Sequence, residues 1–215
     1  MIIDHDNEAY RKRWVRTGVN RWNGAFYYSK EIVKNIIPNV DTDRNWVLVN
    51  QQGAALDHSV VFVHNNLHPE RYDWLAEYED LVLVCGVPST CEKVEHLGKA
   101  IYLPLSIDVE YVSKFTRRKT KGAAFVGRPA KRYCKNFPPG TDVLEGMPRT
   151  RLLPKMAKYR EVYAVGRTAI EAVALGCEVK PYDRRFPDTS VWKVIDNRDA
   201  ATMLQGMLDE IDRRR

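Results

Sequence analysis

The chain lacks any run of about 18 consecutive apolar residues, so a membrane-spanning helix is not expected in it. Its first residues, MIIDHDNEAYRKRW, carry charge where a secretory signal needs an apolar core, and the sequence reads as soluble and cytoplasmic. Cysteine is sparse. Cys85, Cys91, Cys134 and Cys177 form no Cys-x-x-Cys pair, and Cys85 and Cys177 lie in or beside apolar segments, so the thiols read as buried and reduced. His64 and His68 have the i, i+4 spacing of a helical metal pair, yet they flank Asn65, Asn66 and Pro69 directly after a strand-like run. No zinc site is therefore expected. Internal repeats and long low-complexity segments are also missing.

With 215 residues, 44% of them hydrophobic, the chain can bury a normal core as one large domain or two small ones. Its net charge of +6 is concentrated at Arg11 to Arg16, Lys114 to Lys121, Lys131 to Lys135 and Arg213 to Arg215. Such an excess fits a phosphate-bearing small molecule or a nucleic acid, while a solvated basic surface is the plain alternative for any single cluster.

Short apolar runs without strict alternation read as buried parallel strands: Trp46 to Asn50, Val60 to His64, Leu81 to Cys85, Ala100 to Pro104 and Ala123 to Gly127. Helix-like stretches, Gly24 to Ile37, Pro69 to Tyr78 and Ser89 to Leu97, alternate with the first four, which is the pattern of βαβ units. Composition shifts at 105 to 121, a polar and basic segment read as a connection between lobes. Beyond it come helix Arg149 to Lys158, a strand near Glu161 to Ala164, helix Thr168 to Leu175, strand Glu178 to Tyr182 and helix Ala200 to Arg213. The expected class is α/β, with two small Rossmann-like doubly wound lobes, 1–112 and 113–215.

Open α/β sheets bind ligands at the carboxyl ends of their strands. Those ends are polar here: Asn50, Gln51, Gln52 and Gly53, then His64, Asn65 and Asn66, with Gly24 opening the helix Ala25-Phe-Tyr-Tyr-Ser. Later come Gly127 and Arg128, with Lys131, Arg132 and Lys135 close behind. Glycine lets a backbone approach a diphosphate, and arginine offers a planar, permanently charged fork.

The segment EVYAVGRTAIEAVALGCEVKPYD, residues 161 to 183, adds a second grip. Gly166 can take the positive φ of a tight turn, Thr168 can cap the following helix, Ala169, Ala172 and Ala174 favour it, and Gly176 stops it. A helix entered through Gly166-Arg167-Thr168 aims unpaired N–H groups and a partial positive charge outward, suited to an anion. Glu171, one turn in, can accept hydrogen bonds from ribose hydroxyls.

VGRPAKR followed by GRTAIEAVALGCEVKPYD resembles the nucleotide-sugar-binding lobe of GT-B glycosyltransferases. IYLPLSIDVEYV is similar to the stretch that closes their N-terminal lobe, and VVFVHNN with LVLVCGVPST is similar to the strands facing the acceptor. Both lobes are short for that family. The resemblance implies a metal-independent transferase without a resident cofactor, its co-substrate a nucleotide sugar, UDP-sugar foremost. It places Arg128 with Lys131 or Arg132 on the donor diphosphate, Arg128 also stabilising charge on the leaving group. Glu171 then binds the ribose, and Gly24, Gly127, Gly166, Arg167 and Thr168 line the donor. His64 acts from the acceptor side beside Asn65 and Asn66. A modified base in DNA is an acceptor the basic clusters favour, with protein or a small glycan as rivals.

Many retaining relatives carry two glutamates separated by seven residues, and the position eight before Glu171 is Tyr163, which leaves retention or inversion open. Asp57 and His58 are further candidate bases but precede their strand. Trp22, Phe26, Tyr27 and Tyr28, led by Arg11, Lys12, Arg13, Arg16 and Arg21, read either as helix core or as a stacking groove. Two other readings follow from the same residues: a non-catalytic nucleotide-sugar-binding module, and a plain nucleic-acid-binding protein. The oligomeric state is not legible.

Overall fold

The structure, a computed structural model, describes residues 1–5, 24–49, 53–64, 68–127, 137–183, 186 and 188–214. It is an α/β protein with two sheets, and every strand pairing in both is parallel. Its contacts form two compact units, Met1–Pro104 with Asn197–Arg215, and Leu105–Asp196. The sequence boundary at 112/113 follows chain order, whereas the contacts return the C-terminal helix to the first unit.

In the first unit the strands are β1 (Ile2–Asp4), β2 (Asn45–Val49), β3 (Ser59–Val63), β4 (Leu81–Cys85) and β5 (Lys99–Tyr102), lying side by side in chain order. Every residue of β3 and β4 is buried, which is why these runs lack alternation. Val47, Val49, Val61, Val63, Leu83 and Cys85 share one core with Tyr72, Leu75, Val94 and Leu97. Tyr72 and Leu75 are three residues apart, and Pro69–Glu77 is a 3₁₀ helix, whose period of three stacks both on the core. The expected helix 24–37 is α1 (Gly24–Glu31), then a π turn Ile32–Ile36 and a 3₁₀ turn Ile37–Asn39. Pro38, which has no N–H to donate, stands in the first turn of the 3₁₀ segment, where none is needed. Helix α2 (Pro88–Val94) joins β4 to β5.

The C-terminal helix, Asn197–Arg213, packs Leu204 and Leu208 inward and contacts the π turn. It is also fastened by charge. Arg44, 1% exposed, places Nη1 3.1 Å from Asp80 Oδ1 and Nη2 2.7 Å from Asp212 Oδ1. Gln205 and the Asp41 backbone exchange two hydrogen bonds, at 2.6 and 3.0 Å.

The second unit holds β6 (Lys121–Val126), β7 (Asp142–Leu144), β8 (Tyr159–Tyr163) and β9 (Glu178–Lys180) in the order β7-β6-β8-β9. Strand order reverses at β6, the mark of double winding, whereas the described strands of the first sheet run in sequence without a reversal. Its helices are α3 (Val109–Ser113), α4 (Arg149–Met156) and α5 (Arg167–Ala174); the C-terminal helix of the first unit is α6. Part of the supposed connection at 105–121 is ordered structure of this unit. Asp108 caps α3 by accepting from Tyr111 N at 2.8 Å, and Ile107 bridges to Asp196. Two short strands, β1 and β7, escape the sequence reading, three residues being too few for a pattern.

Candidate functional site

The reversal of strand order puts the switch point of the second sheet between the carboxyl ends of β6 and β8. Val126-Gly127 leaves one strand, and Tyr163-Ala164-Val165-Gly166 leaves the other into α5. Phe125 and Tyr163 pair in register, and both belong to an aromatic cluster with Tyr182. Phe125 stacks on Phe137 at 4.6 Å and meets Tyr182 edge-on at 5.1 Å. A Cβ on Gly127 would lie 2.9 Å from Phe125 Cζ, so this glycine lets the chain leave β6 against the ring. Tyr163 belongs to this cluster at 8% exposure, and burial raises its hydroxyl pKa.

Gly166 has φ 64° and ψ −143°, a conformation that side chains oppose, although a methyl group added there would meet nothing nearer than Leu105 Cδ1 at 4.0 Å. It is the N-cap residue of α5. The expected cap, Thr168, lies inside the first turn, because the glycine turn already accepts from Ala169 N and Ile170 N; the helix start has no side-chain cap. Gly176 ends α5 as expected: at φ 75° it donates to Val173 O, and Cys177 N donates to Ala172 O, a Schellman motif.

Glu171 is 4% exposed and sits in an arginine cluster. Arg167 Nε donates to its Oε1 at 3.2 Å, the i, i+4 spacing placing both on one helix face. Arg149 Nε lies 2.8 Å from the same oxygen, and its guanidinium rests 5.2 Å from the Tyr111 ring centroid. Arg149 and Arg167 are each the first residue of a helix, and neither helix has an acid in its first turn. Sequence reasoning missed Arg149 and Tyr111. The available signal was a helix start, Pro148-Arg149, bearing a cation at the end where the helix dipole disfavours one.

Of the other expected site residues, Arg128, Lys131, Arg132, Asn65 and Asn66 lie outside the described residues, as do Asn50, Gln51, Gln52, Lys135, Cys134, Trp22 and the basic cluster at 11–21. Gly24 opens α1. His64 follows β3 at a carboxyl end, its ring 5.3 Å from Tyr28 and 6.4 Å from Phe62. Asp57 and His58 are at the amino ends of the first sheet. His58 lies between Asp80 (2.6 Å) and Asp43 (2.9 Å), and its hydrogen bond holds the Asp43 carboxyl below its ordinary pKa. His68 pairs with Glu70, and among the described residues no three His, Cys, Asp or Glu side chains group so as to hold a metal ion. No described helix is long and apolar enough to cross a membrane.

The basic run at 114–121 is partly consumed by structure. Lys119 Nζ donates to Ala157 O at 2.8 Å and Leu175 O at 2.7 Å, and Lys121 pairs with Asp142 at 3.0 Å. Burial raises the pKa of Cys85, Cys91 and Cys177, so these thiols are poor nucleophiles. No protein-family model, curated protein or solved structure matches the chain.

Proposed function

We propose that the protein is a compact GT-B-type glycosyltransferase that takes a sugar from a nucleotide diphosphate donor, UDP-sugar foremost, without a metal ion. The observation that carries this reading is the switch point of the second sheet, where Gly127 and Gly166 leave adjacent strands and α5 opens with Arg167. A diphosphate placed there meets backbone N–H groups, the positive end of α5 and guanidinium charge. In the reaction the bond between the sugar's anomeric carbon and the diphosphate oxygen breaks. A bond to the acceptor oxygen forms, the acceptor proton passing to a base. Negative charge gathers on the leaving diphosphate, which Arg128 and the cationic helix start stabilise in place of a metal.

The basic surface favours an anionic acceptor, a modified base in DNA before a protein or a glycan. Retention on DNA that falls steeply with salt supports this acceptor; retention indifferent to salt removes it. The donor reading is tested by thermal unfolding with a panel of nucleoside diphosphates and nucleotide sugars. A ligand at about a hundred times its Kd adds roughly 2.7 kcal/mol, a shift of several degrees. Absence of any shift across the panel refutes the proposal. A non-catalytic binding module, which the aromatic Tyr163 in the acid's place favours, predicts the shift without donor turnover.

A further inference from the structure

We infer that Glu171 is a positioning residue, which holds Arg149 and Arg167 against the donor diphosphate rather than accepting from a ribose hydroxyl. The inference rests on the nucleotide-diphosphate reading of this site. Glu171 keeps only 5% of its side-chain surface exposed, and one of its oxygens already faces Arg167 Nε at 3.2 Å and Arg149 Nε at 2.8 Å. For a ribose hydroxyl to take that oxygen, an ion pair between largely buried charges would give way to a contact with an uncharged donor, leaving guanidinium charge without its carboxylate. The two arginines come from different helices, and each is the first residue of its own. Cations at helix starts oppose the dipole, so a carboxylate is needed to hold them there. An anion at the same place favours both the dipoles and the guanidinium groups. Tyr111 completes the clamp: its ring lies under the Arg149 guanidinium at 5.2 Å and meets Phe115 edge-on, fixing the plane of the fork.

Inorganic pyrophosphate separates the two roles, since it carries the diphosphate charge and no ribose. Calorimetric titration of pyrophosphate and of UDP onto the wild-type chain, Glu171→Gln and Arg149→Lys is the experiment. A positioning role predicts that Glu171→Gln weakens pyrophosphate and UDP in the same proportion, by about tenfold or more. It predicts the same joint loss in Arg149→Lys, which keeps the charge and loses the stacked fork. If Glu171→Gln fails to fold, Arg149→Lys decides alone. Pyrophosphate binding unchanged in either folded variant overturns the inference. With UDP weakened at the same time, Glu171 is a ribose ligand. A wild-type chain that binds neither probe overturns the diphosphate reading, and this inference falls with it.

Discussion

At the C-terminal ends of α4 and α5 one ammonium, Lys119, donates to Ala157 O and Leu175 O, closing both helices at once. At the N-terminal ends of the same helices stand Arg149 and Arg167, tied to one carboxylate on α5. All three cations are at least partly buried, but only Lys119 sits where the helix dipoles favour a positive charge. The difference teaches how to separate structural charge from functional charge in one small unit. A cation that lowers the energy of the fold needs no ligand to explain it. Cations held at two helix starts by a buried glutamate are arranged against the stability of the unliganded protein, and an anion resolves the conflict.

The contrast breaks most sharply at Glu171. Glu171→Gln leaves two guanidinium groups at helix starts without their carboxylate and is expected to cost about 3–5 kcal/mol in urea unfolding. Lys119→Met strips two helix C-termini of their shared donor and is expected to cost about 2 kcal/mol, with pyrophosphate affinity unchanged. The glycines sharpen the same comparison. Gly176, at φ 75° beyond the C-terminal end of α5, becomes strained as alanine by about 1–2 kcal/mol, and Gly166, at φ 64° and ψ −143° before its start, by about 1–3 kcal/mol. Chemical unfolding registers both losses, whereas only Gly166→Ala weakens UDP binding in a titration.

The smallest effect expected is that of acid. Tyr159 OH and Lys121 hold the Asp142 carboxyl below its ordinary pKa at the amino ends of β6, β7 and β8. Because the folded value is the lower one, the stabilisation is full above the unfolded value and fades as pH falls through the folded value. Asp142 is half exposed, so the loss is slight. The urea midpoint of wild type should therefore fall a little more steeply with acid than that of Asp142→Asn.

Buried strands were legible because parallel strands covered on both faces are continuous apolar runs, as in Ser59–Val63 and Leu81–Cys85. The turn at Gly166 and the stop at Gly176 were legible because each needs a backbone conformation that glycine alone accepts readily. What escaped depends on distance along the chain. Arg149 reaches Glu171 from another helix, Lys119 joins two helix ends that are 18 residues apart, between 157 and 175, and Arg44 meets Asp212 at the far end of the chain. No local period encodes such pairings. Glu171 and Arg167 are conspicuous from their shared helix, whereas Arg149 is not, and the two arginines together favour a support over a ribose ligand.

The most direct measurement is a calorimetric titration of UDP onto wild type, Lys119→Met and Arg149→Lys under one buffer and salt condition. The predicted result is that UDP binds wild type and Lys119→Met alike and binds Arg149→Lys at least about tenfold more weakly. UDP binding that is absent in wild type, or equal in all three proteins, contradicts a diphosphate site at the start of α4 and α5.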